Sequence, residues 1–185
     1  MAISEKLTLE QFLALPEEEV SLEYEDGRVT QKVSPQGKHS VVQATVVDRF
    51  NRIAAPSKLA MAFPELRTTY AGYSRVPDVS VYVWPRITRD ASGEVANEFR
   101  EPPDIVVEIV SPGQRVNALV RRCLWYVEHG VRAAILLDPA DHSALLFHPD
   151  HTTTPLHGPD RIDLQEIIPG LVLTAHDLFA SLRLE

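Results

Sequence analysis

Two short β-branched runs, Arg75-Val-Pro-Asp78-Val-Ser-Val-Tyr-Val83 and Pro103-Asp-Ile-Val-Val-Glu108-Ile-Val-Ser-Pro112, constrain this chain more than any other feature. Each reads as a buried strand, and each holds a carboxylate that apolar neighbours would otherwise exclude. A buried carboxylate is costly unless it is paired, hydrogen-bonded or bound to a metal. Two of them on adjacent strands therefore favour a divalent cation between them. Asp78 and Glu108 are the candidate ligands, and a metal held in this way suits phosphodiester hydrolysis.

The rest of the chain sets the frame for that pair. With 185 residues, 44% hydrophobic and 24% charged, it is expected to form one domain over residues 1–185. No run approaches the roughly 18 apolar residues of a membrane span, and Met1–Val20 lacks the basic start and apolar middle of a signal peptide. A cytoplasmic protein with no membrane contact is the expectation. The single cysteine, Cys123, leaves no intrachain disulfide or cysteine-based zinc cluster and reads as core packing. The seven histidines show no paired metal-ligand spacing, and a net charge of −8 counts against strong non-specific nucleic-acid affinity while leaving room for a local basic face.

In chain order, Leu7-Thr8-Leu-Glu-Gln11-Phe12 predicts a capped helix to about Leu15, with Leu7 stapled against Phe12. Val20–Tyr24 and Arg28–Val33 flank Glu25-Asp26-Gly27 as a β-hairpin. Ser34-Pro35 offers a helix start, and Val42, Val46, Phe50 and Ile53 carry a helix from about Gln36 to Ala55. Strand-like pieces follow at Ala60–Phe63 and Leu66–Tyr70, and the polar Pro85–Pro102 segment is a loop that folds the Glu108 strand back onto the Asp78 strand. Leu119, Cys123, Tyr126 and Val127 share a face of a second long helix, Val116–His129, which stops at Gly130. Two strands, Ala133–Asp138 and Ser143–His148, precede a polar loop over His148–Pro159, and Thr174-Ala-His-Asp177 caps a last helix.

Motifs along nearly the whole chain form one pattern: Glu23-Tyr-Glu-Asp-Gly27, His39 at the start of the first long helix, and the Val76-Pro-Asp78-Val-Ser-Val strand. It extends through Pro102-Pro-Asp-Ile-Val-Val-Glu108-Ile-Val-Ser-Pro112, Tyr126 with Gly130-Val131, and Leu136-Leu-Asp138-Pro139 to the closing Pro169-Gly-Leu171 and Leu178-Phe179 pieces. In this pattern the chain resembles the Uma (Uma-two) restriction-endonuclease family of the PD-(D/E)-x-K nuclease superfamily. The resemblance implies an α/β fold: a restriction-endonuclease-like mixed β-sheet core flanked by helices, with an N-terminal helix and β-hairpin.

It also implies a Mg²⁺-dependent (or Mn²⁺-dependent) DNA endonuclease. Asp78, Glu108 and the backbone carbonyl of Ile109 would hold the metal, Glu23 would extend the site from the hairpin, and His39 would contact phosphate or relay a proton. The superfamily's lysine two residues after the glutamate is Val110 here, and the family's lysine on the following helix is Arg122. Arginine binds phosphate well but, with a pKa above about 12, is a poor base. Arg122 is thus compatible with a catalytic role and with a silenced site. No lysine follows Lys58, which leaves Lys32 and Lys38 as nearby replacements that nothing in the sequence places at the site.

Plainer roles remain open: Asp78 as a turn acid, Glu108 as a structural carboxylate, Arg122 as a solvated helix charge, Glu23 as an exposed hairpin acid, His39 as a surface residue. Trp84, Trp125 and Tyr126 read as core or interface aromatics. The alternative function is a catalytically impaired nuclease fold acting as a binding or assembly module. A third reading is hydrolysis of a different phosphoester. A homodimer is expected because cutting two strands needs two sites.

Overall fold

The computed structural model describes residues 7–15 and 21–184. Val20, expected to open the hairpin, lies outside these residues. Helix α1 (Leu9–Leu13) carries the expected capping box between Thr8 and Gln11, but closes at Ala14 rather than Leu15. Its one buried side chain, Phe12, packs on Tyr24 with ring centroids 5.5 Å apart. Leu7 contributes its carbonyl, which accepts the Tyr24 hydroxyl at 2.9 Å.

Strands β1 (Leu22–Glu25) and β2 (Arg28–Gln31) form the hairpin, turning through Asp26 and Gly27 at φ 46° and 80°. Positive φ at both positions is what an Asp-Gly turn supplies cheaply. Helix α2 (Gly37–Ala54) starts with Gln36 at its N-cap and no side-chain cap, so the Ser34-Pro35 start is not used. Ser34, Pro35 and Gln36 are exposed, and His39 is the first buried residue; no packing rewards an earlier turn.

Among the described residues, ten strands divide into two sheets. Strands β3 (Ala60–Pro64), β6 (Val79–Val83), β7 (Ile105–Ile109), β8 (Ala133–Asp138), β9 (Ser143–Phe147) and β10 (Thr153–His157) form one, in the order β10-β9-β8-β7-β6-β3. The hairpin joins β4 (Thr68–Tyr70) and β5 (Tyr73–Arg75) in the other, ordered β2-β1-β5-β4. Among the described strands only the β7–β8 pair is parallel, and helix α3 (Val116–Glu128) supplies the crossover that a parallel pair needs.

Two expectations are corrected here. The run Arg75–Val83 is not one strand: β5 ends at Arg75 in the smaller sheet and β6 begins at Val79 in the larger one. Pro77 has no N–H for a ladder, so the chain changes sheets at Val76-Pro77-Asp78. The polar loop over His148–Pro159 contains β10, paired with β9 from Thr153↔Phe147 to His157↔Ser143. Of its side chains only Leu156 is buried, so it lacks an apolar period, and Pro155 is tolerated because the strand is an edge.

The large sheet is buried on both faces. Val79, Val81, Ile105, Val107 and Ile135 pack against α2 and α4 (Ala175–Phe179). Val106, Ala134 and Leu136 face Leu119, Cys123 and Tyr126 of α3. Cys123 is fully buried, as expected, and burial pushes its thiol well up and keeps it protonated. The Thr174–Asp177 capping box also forms, starting α4.

Candidate functional site

The site lies where the chain crosses between the sheets. Register pairs Val79 with Val107, and continuing it places Asp78 opposite Glu108 at the end of the β6–β7 ladder. Both are buried, with 3% and 4% of their surface exposed. With the ladder ended, the Ile109 amide donates to Asp78 Oδ2 at 2.7 Å instead of to a strand. The Asp78 carbonyl accepts from Gln43 Nε2 of α2 at 2.8 Å and from the Glu65 amide at 3.1 Å. The aspartate is thereby fixed at both its backbone and its carboxylate.

Glu23 reaches in from β1, whose Tyr24 pairs with Ser74 of β5. Its Oε1 accepts the Val76 amide at 2.8 Å, the first residue beyond β5. Arg122 projects from α3 between the acids. Its Nε donates to Glu108 Oε1 at 2.7 Å, Nη1 donates to Glu23 Oε2 at 2.7 Å, and Nη2 donates to Glu23 Oε1. Tyr126, one turn along α3, donates its hydroxyl to the same Glu108 Oε1 at 2.8 Å. Glu108 Oε2 is left without a hydrogen-bond donor among the described residues.

On the other side, Lys32 Nζ lies 2.8 Å from Asp78 Oδ1 and donates to the Val76 carbonyl at 2.8 Å. His39 is buried on the first turn of α2, its Nδ1 2.9 Å from Ser111 Oγ. Its Nε2 lies 3.3 Å from Asp78 Oδ1. The structure thus brings together Asp78, Glu108, Arg122, Glu23, His39 and the backbone of Ile109. Lys38 is exposed and stands apart.

A family model described as "Putative restriction endonuclease" (Uma2) matches residues 9–176. The chain belongs to that family. A crystal structure from Anabaena variabilis ATCC 29413, described as a "putative nuclease belonging to DUF820", superposes with a TM-score of 0.89 at 38% identity, covering 96% of this chain and 99% of that one. No curated protein matches. The mixed α/β, nuclease-like fold expected from the sequence is therefore the fold of this Uma2 chain, and restriction-endonuclease-like families generally use a divalent metal.

The Uma2 site's electrostatics follow from who shares the guanidinium. Burial alone would raise Glu23, but the Arg122 fork and the Val76 amide outweigh it and hold its carboxyl below the usual range. Burial raises Glu108, and Asp78 and Glu23 add to this while Arg122 and Lys32 offset it only in part. The two glutamates diverge because Glu23 takes both terminal nitrogens and Glu108 only the Nε edge. Burial also opposes the charge on Arg122, yet Glu108, Tyr126 and Glu23 prevail and hold it protonated. For Asp78, burial is outweighed by His39 and Lys32, and its carboxyl is lowered.

These residues fit a hard divalent ion in kind. Asp78 and Glu108 supply anionic oxygen, Glu108 Oε2 has no competing donor, and Mg²⁺ needs only one or two carboxylates because it keeps several waters. Among the described residues no group of three or more His, Cys, Asp or Glu side chains converges to hold a metal. No helix of the described chain is long and apolar enough to cross a membrane.

Three contributors carry little signal in the sequence. Tyr126, expected as a core or interface aromatic, is fully buried and also bonds Glu108 through its hydroxyl; its place one helical turn after Arg122 is the available signal. Gln43 stands one turn after His39 on the same face of α2. Ser111 lies 72 positions from His39 and fixes its ring. Trp125, by contrast, stacks on His129, packs at a tilt against Tyr73 and lies under the Arg75 guanidinium, as an aromatic packing residue.

Proposed function

We propose that this chain is a Mg²⁺-dependent (or Mn²⁺-dependent) DNA endonuclease acting as one domain, with Asp78, Glu108 and the Ile109 carbonyl as metal ligands. The observation that carries the reading is the buried pairing of Asp78 with Glu108 at the end of the β6–β7 ladder, in a chain of this family. The ion, when bound, supplies Lewis acidity toward a phosphoryl oxygen and a more acidic bound water.

The chain's own residues do the rest. Ile109's amide and Gln43 keep Asp78 oriented. Arg122 and Tyr126 hold Glu108 by one oxygen and leave the other without a donor among the described residues, where it would be available to a metal. Glu23 closes the site from the hairpin and anchors Val76, the turning point of the chain. His39 is buried against Asp78, so its part in this proposal is to position that carboxylate, and a phosphate would meet it only at the Asp78 side. A homodimer would present two such sites to the two strands of a duplex.

A specific observation favours the rival reading, a binding or assembly module: each carboxylate already has a cationic neighbour, Lys32 for Asp78 and Arg122 for Glu108. Nicking of supercoiled plasmid in Mg²⁺ or Mn²⁺ separates the two. Wild type should nick, and Asp78→Ala and Glu108→Gln should lose nicking while remaining folded by circular dichroism at the assay temperature, although each strands a buried cation and melts lower. Inert wild type in both ions would leave the binding module as the better account.

A further inference from the structure

Lys32 is the cation the sequence could not place. Its amide extends the hairpin ladder one step beyond β2 by donating to the Ser21 carbonyl at 2.8 Å, which directs the side chain away from the hairpin tip toward the sheet crossing. There its ammonium meets the Val76 carbonyl, 44 positions away in sequence, and Asp78 Oδ1, each at 2.8 Å. The side chain is only 12% exposed, unlike a lysine that keeps its head in water. Two of its three N–H donors are used, and the nearest remaining acid, Glu65, stands 4.0 Å away, beyond hydrogen-bond reach.

Arg122 is differently placed. All three of its nitrogens are engaged, by Glu108, Tyr126 and both oxygens of Glu23. Turning it toward a substrate would leave two buried carboxylates unpaired. Lys32 can give a donor without breaking such a network, on a flexible stem and as a compact point charge.

We propose that Lys32, from the end of the hairpin, is the phosphate-facing cation of this site, and that Arg122 is a positioning residue for Glu108 and Glu23. Lys32 neutralises charge on the phosphoryl group held beside Asp78, the task that the resemblance assigns to a helix lysine. This rests on the nuclease reading above.

The test compares wild type, Lys32→Gln and Lys32→Arg in three measurements: calorimetric Mn²⁺ binding to the free protein, DNA binding in Ca²⁺ across a salt series, and plasmid nicking in Mn²⁺. Lys32→Gln should keep Mn²⁺ affinity within a few-fold, since no metal ligand is removed. It should bind DNA more weakly with a salt slope reduced by about 1. It should nick about 10²–10³-fold more slowly, with partial recovery in Lys32→Arg.

Unchanged salt slope and nicking within about threefold of wild type would overturn the Lys32 assignment while the nuclease reading stood. Inert wild type with a reduced salt slope in Lys32→Gln would sink the nuclease reading and leave Lys32 as a phosphate contact. Inert wild type with an unchanged slope would sink both. Should Lys32→Gln fail to fold, the nicking rate of Lys32→Arg decides: it keeps the charge, so its salt slope should match wild type, but its displaced donors should slow nicking, and nicking equal to wild type overturns the Lys32 assignment.

Discussion

Replacing Arg122 by methionine isolates how much of this fold hangs on one side chain. The substitution keeps the aliphatic length on α3 and deletes every N–H that now serves Glu108, Glu23 and, through Nε, the Tyr126 oxygen. Glu108 and Glu23 stay buried, with 5% and 11% of their side chains exposed, and lose their shared counter-charge. Breaking a buried ion pair from one side costs about 3–5 kcal/mol. Arg122 retains 17% side-chain exposure, which lets water relieve part of that cost and points to the lower end, about 3 kcal/mol. At roughly 2–4 °C per kcal/mol for a chain of this size, the melting temperature should fall by about 6–12 °C.

Urea denaturation followed by circular dichroism at pH 7 in EDTA measures the loss without metal. A triple variant, Arg122→Met with Glu23→Gln and Glu108→Gln, removes the stranded charges and keeps an acceptor for the Val76 amide. It should recover at least half of the deficit. A loss below about 1 kcal/mol for Arg122→Met would make the network no better than a surface ion pair. So would a triple variant as unstable as the single one, and either result would refute the argument.

Two further outcomes follow from the structure. Because the folded state holds Glu23 below its ordinary value, Glu23 contributes stability that is complete above the unfolded value of 4.5 and is lost as pH falls through the folded one. The urea-derived difference between wild type and Glu23→Gln should therefore be greatest near pH 7 and shrink below about pH 4.5; a difference constant to pH 3 would contradict the shift. Gly130 ends α3 at φ 98°, and a Cβ there would sit 3.2 Å from Pro102 Cγ. Gly130→Ala should cost about 1–2 kcal/mol from the left-handed backbone alone, and more if Pro102 cannot give way, read as a lowered melting temperature.

Much of the fold could be read locally. The capping boxes at Thr8 and Thr174, the Asp26-Gly27 turn, and the apolar faces of α2 and α3 depend on interactions within a few residues, and the structure has them. The signals that failed were those in which tertiary placement overrules local pattern. Pro77 split an apparently continuous β-branched run because the chain had to change sheets there. Strand β10 forms from polar residues because β9 offers it an edge, although its own sequence has no period.

That Asp78 and Glu108 are costly in apolar strands is legible from residue type and immediate neighbours alone. Who neutralises them is settled by how the elements pack. Lys32 and Glu23 come from the hairpin, His39 from α2, and Arg122 and Tyr126 from α3, meeting where two sheets exchange a strand. Which charges come within about 3 Å of one another depends on how elements pack, and no spacing along the chain encodes that distance.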